Sequence, residues 1–387
     1  MTSLGTARVR SRSSGYTGGT GKYCGLGSTV TSPYQPEGWS ETCEDVIGNY
    51  GGNNFFLKEL TTFKSDVSTG SQTANCGLLP RCTSYAGQPC RIHDGYPIGV
   101  ETWKEPPHLT LADPGVNVHA TKLLALTNPS RPVVDLPVAL LELRDLPRLF
   151  KIESGNLARK AAGGNLSYQF GWKPFISDLR KLLDFQNTVA KVERRLRSLY
   201  SKGGIHARRD LWTGNGTGTS NDVIVFSLSG ELWKAKLERL TVRDVWGTVR
   251  WTPTSLPPTT DDGFRKLARK VAFGLAITPA TLYQAMPWRW LIDWFSNLGD
   301  FLEAHRNTVP AVPTHICVMT RTRTYRWQTI TSGRPSWAAG GDAYYTRTTK
   351  RRDPVTSVLP QAYLPFLGIR QVSILGSLAI LGRFRPR

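Results

Sequence analysis

The sequence predicts an α+β protein: a discontinuous helical bundle plus a β-rich region built from insertions between the helices. Three observations lead there. Apolar residues recur at helical spacing in several separated stretches, period-two stretches lie between them, and residues 1–115 are rich in Gly, Ser, Thr, Pro and Tyr with only short apolar runs. No buried strand–helix–strand repeat with short loops is visible, which argues against a doubly wound sheet.

Taken in order, residues 1–115 read as strands and long loops. Leucines at helical spacing begin near Val118, in residues 121–126 and 137–150, with Pro132 and Pro137 as punctuation. The clearest helix opens at Lys173-Pro174 and runs to Tyr200, where Gly203-Gly204 supply the stop. Its apolar stripe is Phe175, Leu179, Leu182, Val189, Val192, Leu196 and Leu199, and it would be about 40 Å long. Arg180, Lys181, Lys191, Arg194, Arg195 and Arg197 fall largely outside that stripe, giving a bundle helix with a basic outer face.

The period becomes two from Ile205 to Trp251, with Gly-Asn-Gly-Thr-Gly at 214–218 predicting a turn or loop. Helical spacing returns at 262–275, after Pro257-Pro258, and again over 279–305. Residues 317–331 and 343–350 alternate as a hairpin around 332–341, and 359–384 are apolar on a helical period. The predicted organisation is therefore a β-rich region at 1–115, bundle at 116–203, β insertion at 204–252, bundle at 253–310, β-hairpin insertion at 311–354 and a C-terminal bundle helix at 355–387.

Charge separates the same regions. The 387 residues hold 49 Lys+Arg against 29 Asp+Glu, a formal charge of +20. Residues 1–120 carry 9 basic and 10 acidic side chains, leaving 40 and 19 in the remainder, so the whole excess lies in the last two thirds. A basic surface of that size predicts a polyanionic partner, and the split predicts two surfaces with different partners. Hydrophobic residues at 40% with 12 Trp exclude a wholly disordered chain. Residues 1–19 lack the apolar core of a secretory signal, and no stretch of about 20 apolar residues occurs, so no stable membrane span is expected.

Motifs for catalysis or metal binding are lacking. The six cysteines form no Cys-x-x-Cys pair, and no two of the six histidines stand at i, i+4. The N-terminal five cysteines are compatible with one or two bridges or with ordinary thiols. The stretch Thr17-Gly-Gly-Thr-Gly-Lys-Tyr has the look of a phosphate loop but fails as one, because Tyr16 and Tyr23 stand where Gly and Ser or Thr are needed. Asp261-Asp262 reads as the start of a helix in preference to a metal-binding pair. The expectation is no enzyme, no cofactor and no metal.

Signals for RNA are stronger. Arg265-Lys266 and Arg269-Lys270 repeat at i, i+4, so their cations share one helix face and can track phosphates. Arg321, Arg323 and Arg326 sit in a strand with Tyr325 and Trp327 interleaved, which pairs cations for phosphate with aromatics for unpaired bases.

Two segments carry a resemblance. Tyr168-Gln-Phe-Gly-Trp-Lys-Pro-Phe-Ile-Ser-Asp-Leu opens the long helix, and Met286-Pro-Trp-Arg-Trp-Leu-Ile-Asp-Trp-Phe-Ser-Asn-Leu-Gly-Asp-Phe-Leu-Glu follows about a hundred residues later. In that order and spacing, residues 120–387 resemble the maturation (A) proteins of single-stranded RNA bacteriophages, the leviviruses. The motif residues Phe170, Trp172, Pro174, Asp178, Asp293 and Trp294 read as architecture where helices meet. The resemblance implies a monomer present once per virion, made in the host cytoplasm, replacing a coat-protein dimer. It further implies binding of genomic RNA near its 3′ end, attachment to a bacterial pilus, and entry with the RNA. By the same resemblance the β-rich region faces outwards and the bundle inwards. The alternatives are a cytosolic RNA-binding protein without a virion role, or a membrane-active lysis protein acting through residues 363–381.

Overall fold

The computed structural model describes residues 6–14, 17–24, 29–34, 37–48, 54–65, 69–70, 82–84, 107–138, 184–228, 231–286, 289–333, 338–339 and 342–362. Its strands are β1 (Thr6–Ser13), β2 (Thr17–Cys24), β3 (Thr29–Tyr34), β4 (Glu37–Ile47), β5 (Phe56–Ser65), β6 (Thr69–Gly70), β7 (Cys82–Ser84), β8 (Ile205–Leu228), β9 (Glu231–Pro253), β10 (Ala311–Ser332), β11 (Ala338–Ala339) and β12 (Ala343–Val355). The dominant element is a seven-stranded sheet in the order β1-β4-β5-β12-β10-β9-β8. Two small sheets hold β3, β2 and β7, and β11 with β6.

This overturns the predicted helical bundle with β insertions. The strands at 205–253 and 311–355 are 24, 23, 22 and 13 residues long, apart from the two-residue β11, and join the N-terminal strands in one sheet. The joint is β5 against β12, antiparallel from Ala343↔Ser65 to Arg352↔Phe56. The described helices are α1 (Val116–Thr127), α2 (Phe185–Ser201), α3 (Asp261–Ala272), α4 (Pro279–Ala285), α5 (Arg289–Phe295) and α6 (Leu298–Ala304). The single helix predicted over 279–305 is three pieces: α4 ends at Met286, which is extended as a residue ahead of a proline in the sequence prefers, and α5 and α6 separate at Ser296-Asn297. Residues 139–183, which include 173–183 of the predicted long helix, and the predicted C-terminal helix beyond 362 lie outside the described residues. No described helix is long and apolar enough to cross a membrane.

The chain divides into two compact units, 1–113 with 212–246 and 319–354, and 114–211 with 247–318 and 355–387.

In the first unit the predicted loop at 214–218 is part of β8. Glycines that suggest a turn serve close approach here: a Cβ at Gly214 would lie 2.3 Å from the Trp212 ring, and one at Gly216 would lie 2.9 Å from Leu111. Leu111 belongs to a strap, residues 107–113, that is bonded across the sheet. His108 Nδ1 lies 2.8 Å from Thr324 Oγ1 and its Nε2 2.7 Å from Thr349 Oγ1. The Leu109 amide donates to Thr241, which bonds Thr324 in turn, and Arg243 pairs with Asp113 at 3.0 Å. The buried face of β10 is accordingly polar, presenting Thr322, Thr324, Arg326 and Gln328.

Burial of His108, reinforced by Arg347 and Arg243 and opposed by Glu59, pushes its imidazole down to about 4. An unfolded histidine titrates near 6.5, so between those values the unfolded chain binds the extra proton and stability falls as pH falls. We expect the urea midpoint of the protein to drop between pH 7 and pH 4.5, and His108→Gln to flatten that part of the profile. An unchanged profile would remove His108 from the pH response.

In the second unit α1 is buried on most sides, with Ala120, Leu123, Leu124 and Ala125 in the core. Leu123 meets β9 at Gly247, where a Cβ would stand 2.7 Å from its methyl, and Trp251 Nε1 donates to Thr127 Oγ1 at 3.0 Å. Asn128, just beyond α1, reaches the carbonyls of Glu303, Ala304 and Arg306 at 3.0 Å each, satisfying backbone acceptors at the end of α6. Cys43 and Cys317 are buried and form no disulfide.

Candidate nucleic-acid interface

α3 is a well-capped amphipathic helix. The Thr260 side chain accepts from the Gly263 amide at 3.1 Å, Asp261 and Asp262 occupy the first turn, and Arg269 and Lys270 the last. Both ends thus complement the helix dipole. Ala268, Val271 and Ala272 are buried, which leaves Arg265, Lys266, Arg269 and Lys270 on the solvent side. Lys266 pairs with Asp262 at 2.9 Å, an exposed i, i+4 pair of little energetic weight. Among the described residues no carboxylate lies within ion-pair distance of Arg265, Arg269 or Lys270.

α2 packs beside α3, and the predicted cations on it separate by role. Arg194 is exposed. Arg197 bonds Glu193 and, at 2.8 Å, Asp261, while its guanidinium lies 4.7 Å from the centre of the Phe264 ring. That geometry fastens α2 to α3, and the hydrogen bond from Arg197 holds the Asp261 carboxyl below its usual range. Arg195 turns inward and donates to the Thr127 carbonyl at the end of α1, a backbone acceptor without a helical partner. Burial lowers its pKa, with Arg209 and Arg131 adding to the effect. Arg195 and Arg197 are therefore structural cations, and Arg180 and Lys181 lie outside the described residues.

β10 separates its cations by the pleat. Arg321 and Arg323 share a face with Tyr325 and Trp327, whereas Arg326 projects to the opposite, buried face, 5.6 Å from the centre of the Tyr345 ring. Burial lowers Arg326 to about 10, against the favourable field of Tyr345 and with Arg239 adding to the drop. Arg321 and Arg323 converge on Asp244 at 2.8 and 3.5 Å, and the Arg321 hydrogen bond holds that carboxyl low. Beside them Trp327 stacks on Tyr325 at 6.1 Å and leans on Tyr344 at 5.8 Å, with 39% of Trp327 exposed. An open sheet face with paired arginines and three adjoining aromatics results.

The motif residues Phe170, Trp172, Pro174 and Asp178 lie outside the described residues; Asp293 and Trp294 are in α5. Asp293 Oδ1 accepts from Tyr283 Oη at 2.8 Å and from the Gly299 amide at 3.2 Å, tying α4, α5 and α6 together. A Cβ at position 299 would come within 2.7 Å of that oxygen, so the motif's glycine is a steric requirement. Burial and the Asp293 bond raise the Tyr283 hydroxyl well above its ordinary range. Around this joint opens a cavity of about 260 Å³ lined by Asn297, Asp300 and Glu303 among others. Sequence reasoning missed it, although Asn297, Gly299 and Asp300 stand within the second motif.

No family model matches the chain. It is similar to Maturation protein A2 of Qbeta virus (strain MX1), 23% identical over 225 residues that cover 55% of this chain and 51% of the relative. The chain is distantly similar to a phage maturation protein. It spans about half the length of the curated relative it matches. Similarity at this level supports a component of a phage particle and leaves the ligands of this maturation-protein relative to its own residues.

Proposed function

We propose that the protein is the maturation and attachment protein of an RNA phage particle. It is carried as a single copy in place of a coat-protein dimer, holds the genomic RNA near its 3′ end, and binds a host pilus for genome entry. The role is one of binding and delivery, with no catalytic step. The observation that supports it most is the exposed face of α3, four cations with no buried task, in a chain distantly similar to a phage maturation protein. Arg194 extends the cationic surface on α2, and the Arg321, Arg323, Tyr325 and Trp327 face is a second candidate for phosphates and bases. The near-neutral N-terminal third remains the candidate for the pilus.

Phosphate contacts release counterions, so each one lost should reduce the slope of log affinity against log salt by roughly 0.7 on single-stranded RNA. Replacing Arg265, Lys266, Arg269 and Lys270 by Gln should flatten the slope by about 2–3 while leaving the unfolding midpoint near that of the parent. The check is fluorescence anisotropy with a 3′-terminal genomic fragment at several salt concentrations. An unchanged slope takes α3 out of the interface.

A further inference from the structure

The open face of β10 carries more than its two arginines. Successive residues of a strand point to opposite sides, so Arg321, Arg323, Tyr325 and Trp327 line one side of β10, and Tyr344 and Lys350 line the same side of its neighbour β12. The three rings join into one surface: Trp327 lies 6.1 Å from Tyr325, with 22° between their planes, and 5.8 Å from Tyr344. Trp327 is 39% exposed, whereas Tyr345, on the opposite side of the sheet, is 2% exposed. A tryptophan left in solvent among other rings forfeits burial, which marks a contact surface. The charges beside the rings do not balance. Arg321 and Arg323 share a single carboxylate, Asp244, and their side chains remain 39% and 36% exposed. Lys350 is exposed and, among the described residues, has no carboxylate within ion-pair distance. On the next strand, β9, Glu238 is already neutralised by Lys236 at 2.6 Å.

We propose that this sheet face binds a run of unpaired nucleotides, an inference that rests on the RNA-binding reading and separates this face from α3 by the form of RNA it takes. Bases stack on Trp327 and its two tyrosines, and phosphates meet Arg321, Arg323 and Lys350. Arg323 and Arg321 stand four and six residues from Trp327, about 13 and about 20 Å along a strand. Those distances are too long for the base and phosphate of one nucleotide, so the ligand is several nucleotides long. A duplex hides the faces of its bases in the stack and offers this surface only phosphates, whereas a single strand offers both. Rings and cations on one face match the base and phosphate that repeat along a strand; an acidic protein surface would match the cations alone. By contrast, α3 presents four cations without an exposed aromatic, which suits the phosphates of either form. Every base has a flat face, so binding here is tolerant of sequence.

The test uses the full chain with a fluorescently labelled oligouridine octamer and a labelled RNA duplex of the same length. The ratio of single-stranded to duplex affinity should fall about tenfold in Trp327→Ala, the loss expected of one stacked base, and should be largely kept in Trp327→Phe, which retains a ring. Replacing Arg321 and Arg323 by Gln should flatten the salt slope of octamer binding by roughly 1–1.5. An unchanged affinity ratio in a folded Trp327→Ala protein that still binds the 3′-terminal genomic fragment overturns the base platform and leaves the RNA reading, through α3, standing. Full competition by uridine monophosphate overturns the run, because one nucleotide would then fill the site. Retention of the parent affinity ratio in Trp327→Ala together with loss of binding to purified pili reassigns the face to a protein partner and overturns the proposal. Failure of the octamer, the duplex and the genomic fragment all to bind removes the RNA reading itself.

Discussion

Replacing Arg306 by Met should lower the unfolding free energy by about 3–5 kcal/mol, the range for removing one partner of a buried ion pair. The Arg306 side chain is 1% exposed and joins two carboxylates, Asp135 at 2.6 Å and Glu303 at 3.1 Å. Without the guanidinium both carboxylates remain buried, and Glu303 is already held above the usual carboxylate range by desolvation. The variant therefore carries a pH signature. Carboxyls whose folded pKa is raised stabilise the protein when protonated, and that contribution is lost as pH rises through the folded value. Arg306→Met should thus be most damaged at neutral pH and recover towards acid pH. Adding Asp135→Asn and Glu303→Gln should restore much of the loss at pH 7. Urea denaturation of the variants across pH checks this, and a loss independent of pH would mean that packing, not charge, is what Arg306 supplies.

Trp251→Ala should cost about 3–5 kcal/mol, the range for truncating a buried tryptophan. The side chain is 2% exposed in the core of the second unit and its indole donor is satisfied by Thr127 Oγ1. Truncation leaves a cavity beneath α1 and a buried hydroxyl with one fewer partner, although Thr127 still donates to the Leu123 carbonyl at 2.7 Å. Trp251→Phe should cost less than half as much, because it keeps most of the apolar volume and forfeits the hydrogen bond. Thermal unfolding read by near-ultraviolet circular dichroism distinguishes the two; equal losses would place the cost in the hydrogen bond.

The local elements legible in the sequence share a cause. α3 can be read because Pro257-Pro258, the acidic first turn and the apolar spacing all act within about fifteen residues. Alternation around Val223 and over 241–251 exposes the β8 and β9 strands for the same reason. Residues 214–218 cannot be read: glycine, threonine and asparagine favour turns in isolation, and only the Trp212 ring and Leu111 lying against them explain the glycines in a strand. Grouping Arg326 with Arg321 and Arg323 fails because the pleat sends it to the other face. The parity is in the sequence, but which face is buried depends on what packs there.

Composition and local spacing by themselves determined that the chain is basic in its last two thirds, where helices and strands begin, and which cations lie along the solvent face of α3. Only the tertiary structure decided that seven of the strands make one sheet, since β5 and β12 pair across about 290 residues and nothing local encodes that partner. It also decided which arginines are free. Arg195, Arg197 and Arg326 are the same residue type as Arg265 and Arg269, and are distinguished by a carbonyl, carboxylates and an aromatic ring brought to them from elsewhere in the chain. The cavity lined by Asn297 and Asp300 follows the same logic, because three short helices must converge to enclose it.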